Sequence, residues 1–316
     1  LGPGAGSAMN VDDQKQLADG LFGRGLHPMA VREYEVYLAA VTNDPRAAEA
    51  GFRLGECYRE LGRTQEADQA YARVEREYPA SPYRFRSAMR RAEQLEAAGR
   101  PADAAAILTA ALAAQPPPEL GAAALFMLGQ AWERADLKAE AITAYNRLLK
   151  NYTDQPMSGY ARLALGLIYA AETGTAERAI ALFQAAADAP PTPRVGAEAW
   201  FQLGELHYRG RDYPAAARAY EQLALRHPAD ARAAESRLQR AWSTFYADRP
   251  AEVLRLADEV LGPAGTNRPP PAADEWLYLK ANSLRQLLRF ADAAAVYGRL
   301  IADHANGRYA GPAAVE

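Results

Sequence analysis

The sequence predicts an all-α solenoid, a stack of helical hairpins, and three observations support this fold class. Apolar residues make up 49% of the 316 residues, alanine is abundant, and the aromatic residues are spaced singly. Runs of β-branched residues, which favour strands, are nearly absent. A pattern of two amphipathic helices recurs about every 35 residues, which indicates a repeat array.

The clearest copy of the pattern lies within residues 199–230. Its apolar and small residues follow the spacing of one helix face, first in one helix and then in a second. They are Trp200, Leu203, Gly204, His207, Ala216, Tyr220, Leu223 and Pro228. Gly204 and Ala216 are small where two helices approach closely. Between the helices, Gly210 is the expected helix stop, Asp212 the expected N-cap, and Pro214 falls in the next first turn.

The same pattern can be followed along most of the chain and gives eight hairpins over residues 11–305. The third copy is degenerate because Arg91 holds a place where an apolar residue is expected. The seventh copy, around Trp242, is the weakest. Proline-containing connectors lengthen the spacing beyond 34 residues at 77–83, 115–120, 151–160 and 189–195.

This two-helix unit resembles the tetratricopeptide repeat, whose unit has about 34 residues. The resemblance implies a right-handed α-solenoid of about eight hairpins, in which the first helix of each hairpin lines the concave side. The connector EYPASPY at 77–83 and the helices beside it are similar in style to bacterial cell-envelope tetratricopeptide proteins. These include the periplasmic protein that works with the Tol system and the lipoprotein of the outer-membrane assembly machine.

The domain organisation follows from the repeats. Residues 1–10 are interpreted as a flexible tail or a remnant of expression, and residues 11–261 as repeats one to seven. A Pro-rich loop is expected at 262–274. Residues 275–316 hold the last hairpin and the start of a further helix, which indicates either a chain cut from a longer protein or a short cap.

No catalytic or metal-binding pattern is found in the sequence, so we expect no enzyme, no cofactor and no metal. The four histidines are scattered, and His207 is interpreted as a packed aromatic substitute. Cys57, the single cysteine, is interpreted as a packed thiol. A formal net charge of -3 gives no global reason to expect nucleic acid. No apolar run is long enough to span a bilayer.

The residues of the first helices that do not pack in the repeat are the candidate partner-binding positions. Arg53, Arg86 and Arg90 favour a carboxylate on a partner. Aromatic and methionine side chains further along favour the apolar anchors of a partner. These are Phe126, Met127, Tyr160, Phe201 and Tyr208. The alternative is intramolecular, with the rings packed on neighbouring helices and the arginines paired with Glu56 and Glu93.

Three function classes follow from these observations. The first is a noncatalytic scaffold, in the periplasm or envelope of a bacterium, that binds a protein or peptide in its groove. The second is a repeat segment of a larger protein whose catalytic or membrane domain lies beyond residue 316. The third is a cytosolic peptide-sensing regulator. A clamp for chaperone C termini is not expected, because the Lys and Asn positions of that clamp are held here by Phe52, Glu56, Met89 and Arg90. Self-association through terminal repeats stays open.

Overall fold

The computed structural model describes residues 10–41, 44–262 and 270–315, and every regular element in those residues is an α-helix. The chain divides into two compact units, Leu1–Ala161 (unit 1) and Arg162–Glu316 (unit 2). Most of the tail predicted at 1–10 and most of the loop predicted at 262–274 lie outside the described residues. The interpretations of those two segments therefore stay predictions.

Unit 1 contains four hairpins and the start of a ninth helix. Its helices are α1 (Val11–Gly23), α2 (His27–Ala40), α3 (Ala47–Glu60), α4 (Thr64–Glu77), α5 (Pro82–Ala97), α6 (Pro101–Ala113), α7 (Pro118–Arg134) and α8 (Lys138–Asn151). Helix α9 (Met157–Ala170) begins at the end of unit 1 and continues into unit 2. Within unit 1 the odd-numbered first helices α1, α3, α5 and α7 lie beside one another.

Unit 2 continues the same alternation of first and second helices. After α9 its helices are α10 (Ala176–Asp188), α11 (Pro193–Arg209), α12 (Tyr213–Arg226), α13 (Ala233–Tyr246), α14 (Pro250–Leu261), α15 (Ala273–Gln286), α16 (Phe290–Asp303) and α17 (Ala310–Val315). The described residues thus form the eight hairpins that the sequence predicts, followed by one short helix.

The interval between equivalent residues is longer than the tetratricopeptide unit itself. The small residue of the first helix occurs at Ala18, Gly55, Ala92 and Gly129, at intervals of 37 residues. The proline connectors between hairpins account for the difference, because they add residues after each second helix. Pro82, for example, starts α5 four residues after the end of α4.

In most hairpins the core between the two helices is built from one ring and one small residue. Tyr34, Tyr71, Tyr145 and Tyr220 of the second helices are fully buried. A Cβ atom added to Gly204 would lie 2.6 Å from Cε1 of Tyr220, so a larger residue at this position would displace the ring. This confirms the expected close approach of the two helices.

The turn inside the sixth hairpin has one feature that the sequence did not predict. Asp212 caps α12 by accepting a hydrogen bond from the Ala215 amide at 3.1 Å, and Pro214 lies in the first turn, as predicted. Gly210, the predicted helix stop, keeps a right-handed φ of -75°. The left-handed residue is Arg211, with φ of 61°. The turn needs its left-handed residue one position later, where earlier hairpins have glycine, such as Gly62.

Candidate interaction surface

Two polar clusters connect successive hairpins of unit 1 through the same repeat positions. In the first, Asp19 accepts a hydrogen bond from the Tyr34 hydroxyl at 2.7 Å and pairs with Arg53 at 2.7 Å. In the second, Glu56 accepts from the Tyr71 hydroxyl and pairs with Arg90 at 3.0 Å. Each cluster joins a carboxylate, the tyrosine of its own hairpin and the arginine of the next. We call these two clusters the polar triads.

The polar triads are partly buried, so solvent screens their ion pairs less than it screens pairs on the surface. Glu56 is 8% exposed. Burial alone would raise the pKa of Asp19, but hydrogen bonds from Lys15 and Tyr34, with the charge of Arg53, lower that pKa below its ordinary value. Burial would in turn lower the pKa of Arg53, yet the hydrogen bond with Tyr34 and the charge of Asp19 raise it. Arg53 and Arg90 therefore stabilise contacts between hairpins.

The three arginines predicted to bind a partner are thus placed in two different ways. Arg90 also pairs with Glu93 at 2.8 Å, and Arg53 also pairs with Glu49 at 2.7 Å. Arg86 is exposed, with its guanidinium 5.6 Å from the ring centre of Tyr83. Among the described residues no carboxylate lies within ion-pair distance of Arg86. A partner could bind Arg86 without breaking a contact of this chain, whereas Arg53 and Arg90 already have acidic partners.

The predicted aromatic positions are half-buried and contact other rings. Phe126 lies 5.9 Å from Tyr145 and 5.7 Å from Tyr160, measured between ring centres. In unit 2, Phe201 lies 6.2 Å from Tyr220, and the Arg232 guanidinium lies 5.5 Å from the Phe201 ring. Met127 is half-buried as well. These side chains pack within their own units and expose only part of their surface.

Unit 2 carries an aromatic surface formed by the first helices α11, α13 and α15, the start of α12 and the turn before α17. Seven partly exposed rings form a group in which neighbouring ring centres lie between 4.8 and 6.5 Å apart, and a buried eighth ring, Tyr297, lies 6.3 Å from Tyr278. We call this group the aromatic row, and its members are Tyr208, Tyr213, Trp242, Phe245, Tyr246, Tyr278 and Tyr309. None of the seven rings is fully buried, and Tyr246 is 47% exposed.

Polar atoms at the edge of the aromatic row have partners inside unit 2. The Trp242 indole Nε1 donates to the Glu275 carboxylate. Burial, together with Glu275, raises the pKa of Tyr309 to about 12. Burial and the neighbouring Tyr246 raise the pKa of Tyr208 to about 12 as well. Both hydroxyls are therefore neutral at physiological pH, and the row presents an uncharged aromatic surface.

Comparison with known proteins identifies the repeat. One family model of the tetratricopeptide repeat matches residues 89–156, 138–192 and 195–244, and a second matches residues 49–81. Together they cover more than half of the chain. The chain is a tetratricopeptide repeat protein. Members of this class serve as scaffolds for contacts between proteins, and no curated protein matches the sequence significantly.

Solved structures with similar folds are also tetratricopeptide repeat proteins. The tetratricopeptide domain of P58(IPK) is 16% identical, with 96% of each chain covered and a TM-score of 0.34. The C-terminal part of a repeat-containing protein from Cytophaga hutchinsonii is 16% identical, with 94% of this chain and 98% of that chain covered and a TM-score of 0.45. The family assignment rests on the sequence matches.

The sequence identified only Tyr208 of the aromatic row as a candidate. Three of the other six rings, Trp242, Phe245 and Tyr246, were missed because the seventh repeat departs from the pattern. Trp242 stands directly after the small residue Ala241, where the second and sixth repeats have Glu56 and Glu205. Ala257 stands where those repeats have their buried tyrosine. The signal that could have found this surface was the spacing of large aromatic residues, since Phe245 follows Tyr208 by 37 residues.

The residues considered for catalysis have ordinary environments. Cys57 is fully buried, and burial raises the pKa of its thiol to about 12, in agreement with the prediction of a packed thiol. Burial lowers the pKa of His207, which is half-buried beside Asp212. Within the part of the chain that the structure describes, no group of three His, Cys, Asp or Glu residues could hold a metal ion. The absence of enzymatic activity stays a prediction.

Length and polarity decide whether a helix can span a membrane. None of the helices in residues 10–41, 44–262 and 270–315 is both long enough and apolar enough to cross a bilayer.

Proposed function

We propose that this chain is a noncatalytic scaffold whose protein or peptide partner docks on the first helices, with the aromatic row as the main docking surface. The observation that supports this proposal is a set of seven connected rings, none fully buried, on one side of unit 2. Contiguous apolar surface of this kind is typical of interaction sites, since isolated exposed apolar residues are the norm elsewhere.

Aromatic rings suit such a role for energetic reasons. Each ring buries a large area on binding while few rotatable bonds lose freedom, so Trp and Tyr are enriched among the residues that dominate interfaces. In the aromatic row the rings already hold one another, and the Trp242 indole is fixed by Glu275. The surface is thus ordered before a partner arrives, which reduces the entropic cost of binding.

The partner segment that fits this surface is apolar. The polar edges of Trp242 and Tyr309 are occupied by Glu275, so the row offers ring faces more than free donors. An extended peptide or a helix with apolar anchors would bury those faces. In unit 1, Phe126, Met127 and Tyr160 are proposed as additional contacts.

The remaining proposed contacts differ in chemistry. In unit 2, Phe201 is proposed to contribute another partly exposed ring. In unit 1, Arg86 is the arginine proposed to bind a partner's carboxylate, since it is exposed and has no acidic partner among the described residues. Arg53 and Arg90 would need their present ion pairs to break first.

A location in the bacterial envelope is part of the proposal and rests on the connector style of residues 77–83 alone. The cytosolic regulator and the segment of a larger protein are the competing alternatives. Fractionation of the source cells with an antibody against this chain separates them. Recovery in the periplasmic or membrane fraction supports the envelope, and recovery in the cytosolic fraction contradicts it.

Affinity capture from an extract of the source cells tests the docking surface. The native chain is compared with Tyr246→Ser, which alters the most exposed ring of the row. The matched control is Leu225→Ser, an apolar residue of the second helix α12 that is 67% exposed. We expect Tyr246→Ser to weaken capture of a specific partner about tenfold or more, as for a residue central to an interface. We expect Leu225→Ser to leave capture unchanged.

Two results would contradict the proposed surface. The first is equal capture of the same proteins by the native chain and by Tyr246→Ser. The second is an equal loss of capture in the Leu225→Ser control, which would point to a general effect on folding. Circular dichroism of both variants separates a folding defect from a local one.

A further inference from the structure

A cleft opens on the second-helix side of unit 1, away from the residues discussed above. It lies between the second helices α4 and α6, each of which packs against the first helix α5. Its volume is about 550 Å³. Ala72 of α4 and Ala106 and Ala110 of α6 line its walls, and Ala88 of α5 lies within it.

The cleft coincides with a departure from the repeat pattern. One position of the first helix lies directly before the small residue. In four interior repeats this position holds a buried leucine. These leucines are Leu54, Leu128, Leu165 and Leu203, which are 8%, 6%, 1% and 3% exposed. In the third repeat the residue at this position is Arg91, which lines the cleft, and in the seventh it is Arg240. Positions where a chain departs from its own local rule are often functional or strained.

Arg91 is held in place by carboxylates on α4. Its guanidinium pairs with Asp68 at 2.7 Å and with Glu75 at 3.2 Å, and its side chain is 23% exposed. Burial raises the pKa of Glu75 above its ordinary value although Arg91 lies beside it. A leucine at this position would avoid the cost of desolvating these charges.

Helix α6 has the composition of a buried helix but is not buried. Asp103 is the only charged residue among its 13 residues. Helices that are apolar on all sides normally lie inside a protein or under a partner. Here Ala106 and Ala110 are exposed on the wall of the cleft. Because alanine has a small side chain, the backbone of another helix can approach α6 closely.

Two of the three arginines at the cleft are paired with carboxylates of α4. The charged lining residues are three arginines and one glutamate, namely Arg76, Arg84, Arg91 and Glu75. Arg76 pairs with Glu77 at 3.0 Å. Arg84 donates to the Pro79 carbonyl oxygen at 3.3 Å. Within the described residues, Arg84 has no carboxylate at ion-pair distance, so one cation at the cleft is available to an acidic group.

We propose that the cleft between α4 and α6 docks an acidic amphipathic helix of a partner protein. The apolar stripe of that helix packs on Ala72, Ala106 and Ala110. A carboxylate on its flank pairs with Arg84 at the rim, where the positive charge also discriminates against a basic helix. This docking site is separate from the aromatic row and does not depend on it.

Selection from a peptide library tests the proposal even while the partner is unidentified. A displayed library of peptides of about 18 residues, long enough to form a helix, is selected against the native chain. It is counter-selected against Ala110→Arg, which fills the cleft from an exposed position. We expect the enriched peptides to combine a helical apolar stripe with a net negative charge. Enrichment of basic or proline-rich extended peptides, or no enrichment at all, would overturn the proposal.

Matched variants then locate the site on an enriched peptide by fluorescence anisotropy. Arg84→Glu is expected to weaken binding about tenfold or more, because it reverses the charge at the rim. Arg147→Glu makes the same change at an exposed position of α8, outside the cleft, and is expected to change affinity less than about twofold.

Two further variants complete the set. Ala139→Arg on α8 is the control for Ala110→Arg and is expected to bind like the native chain. Tyr246→Ser should also leave peptide binding unchanged, so a failure of the aromatic row and a failure of the cleft can be distinguished. Equal affinities for the native chain, Arg84→Glu and Ala110→Arg would contradict the proposed site.

Discussion

The first helices of unit 1 and unit 2 use the same repeat position with different chemistry. In the first two repeats of unit 1 the residue after the small residue is a carboxylate, Asp19 or Glu56, and it contacts a tyrosine and an arginine of the array. In the seventh repeat of unit 2 the same position holds Trp242, whose indole donates to Glu275 of the next hairpin and whose ring belongs to the partly exposed aromatic row. The position joins hairpins in both units, and in the seventh repeat it also contributes apolar surface.

The sixth repeat shows an intermediate arrangement. Glu205 accepts a hydrogen bond from the Tyr220 hydroxyl at 2.5 Å, as the carboxylates of unit 1 do with their tyrosines. The next repeat has Gln239 where unit 1 has its arginines, so the third member of the triad is missing. Residues of partner-binding chemistry are available to a partner where the contacts of neighbouring repeats leave part of their surface exposed, as for the ring of Trp242, whose indole nitrogen contacts Glu275.

The largest difference between the two regions should appear on truncation of a ring. Tyr71→Ala in unit 1 removes a fully buried side chain and leaves Glu56 without its hydroxyl donor. We expect a loss of about 3–5 kcal/mol in the free energy of unfolding. Tyr278→Ala in the aromatic row removes a half-buried ring and should cost about half as much. Urea denaturation measures both losses. Equal losses would contradict the claim that Tyr71 belongs to the core and Tyr278 to a partly exposed surface.

A smaller effect is expected from the carboxylate of a polar triad. Glu56→Gln keeps the shape but removes the charge that Arg90 and the Tyr71 hydroxyl contact, and should cost about 2 kcal/mol. In the Arg90→Met background the same change should cost less, because the two residues interact directly. The control is Glu235→Gln, an exposed change in unit 2 that should stay within about 0.5 kcal/mol. Strictly additive losses would show that Glu56 and Arg90 do not act together.

The smallest predicted effect is on how the unfolding free energy depends on pH in the acid range. The folded state lowers the pKa of Asp19 below its ordinary 3.8, since hydrogen bonds and the charge of Arg53 outweigh burial. This group stabilises the fold above its ordinary pKa, and the contribution is lost as pH falls through the lowered value. The unfolding free energy of the native chain should therefore drop more steeply between about pH 5 and pH 2 than that of Asp19→Asn. Parallel pH profiles in urea denaturation would contradict this assignment.

Most of the fold could be predicted from the sequence, because it depends on spacing. Small residues such as Gly55 and Gly204, and rings such as Tyr71 and Tyr220, recur in register. The helix stop predicted at Gly210 was confirmed, since α11 ends at Arg209 and Gly210 is its C-cap. The left-handed conformation of Arg211 was not predicted, since turn geometry depends on backbone angles that residue type only biases.

The candidate surface was harder to predict, and the reason is physical. Arg53 and Arg86 look alike in a sequence, yet only Arg53 has a carboxylate of the preceding hairpin within reach. Which charges pair depends on the distance between successive first helices. The sequence of a single repeat does not determine that distance. Three rings of the aromatic row were missed for a related reason. Trp242 and Ala257 break the pattern that made the other repeats recognisable.

The polar triads also bear on how an array of this kind can grow. Asp19 and Glu56 are 37 residues apart, and so are Tyr34 and Tyr71, and Arg53 and Arg90. A gene duplication that inserts one whole 37-residue segment would supply a new carboxylate to the arginine after it and a new arginine to the carboxylate before it. Both junctions would form with every charge neutralised. An insertion of another length within a helix would shift the acid away from its base, so the triads favour changes of length by complete units.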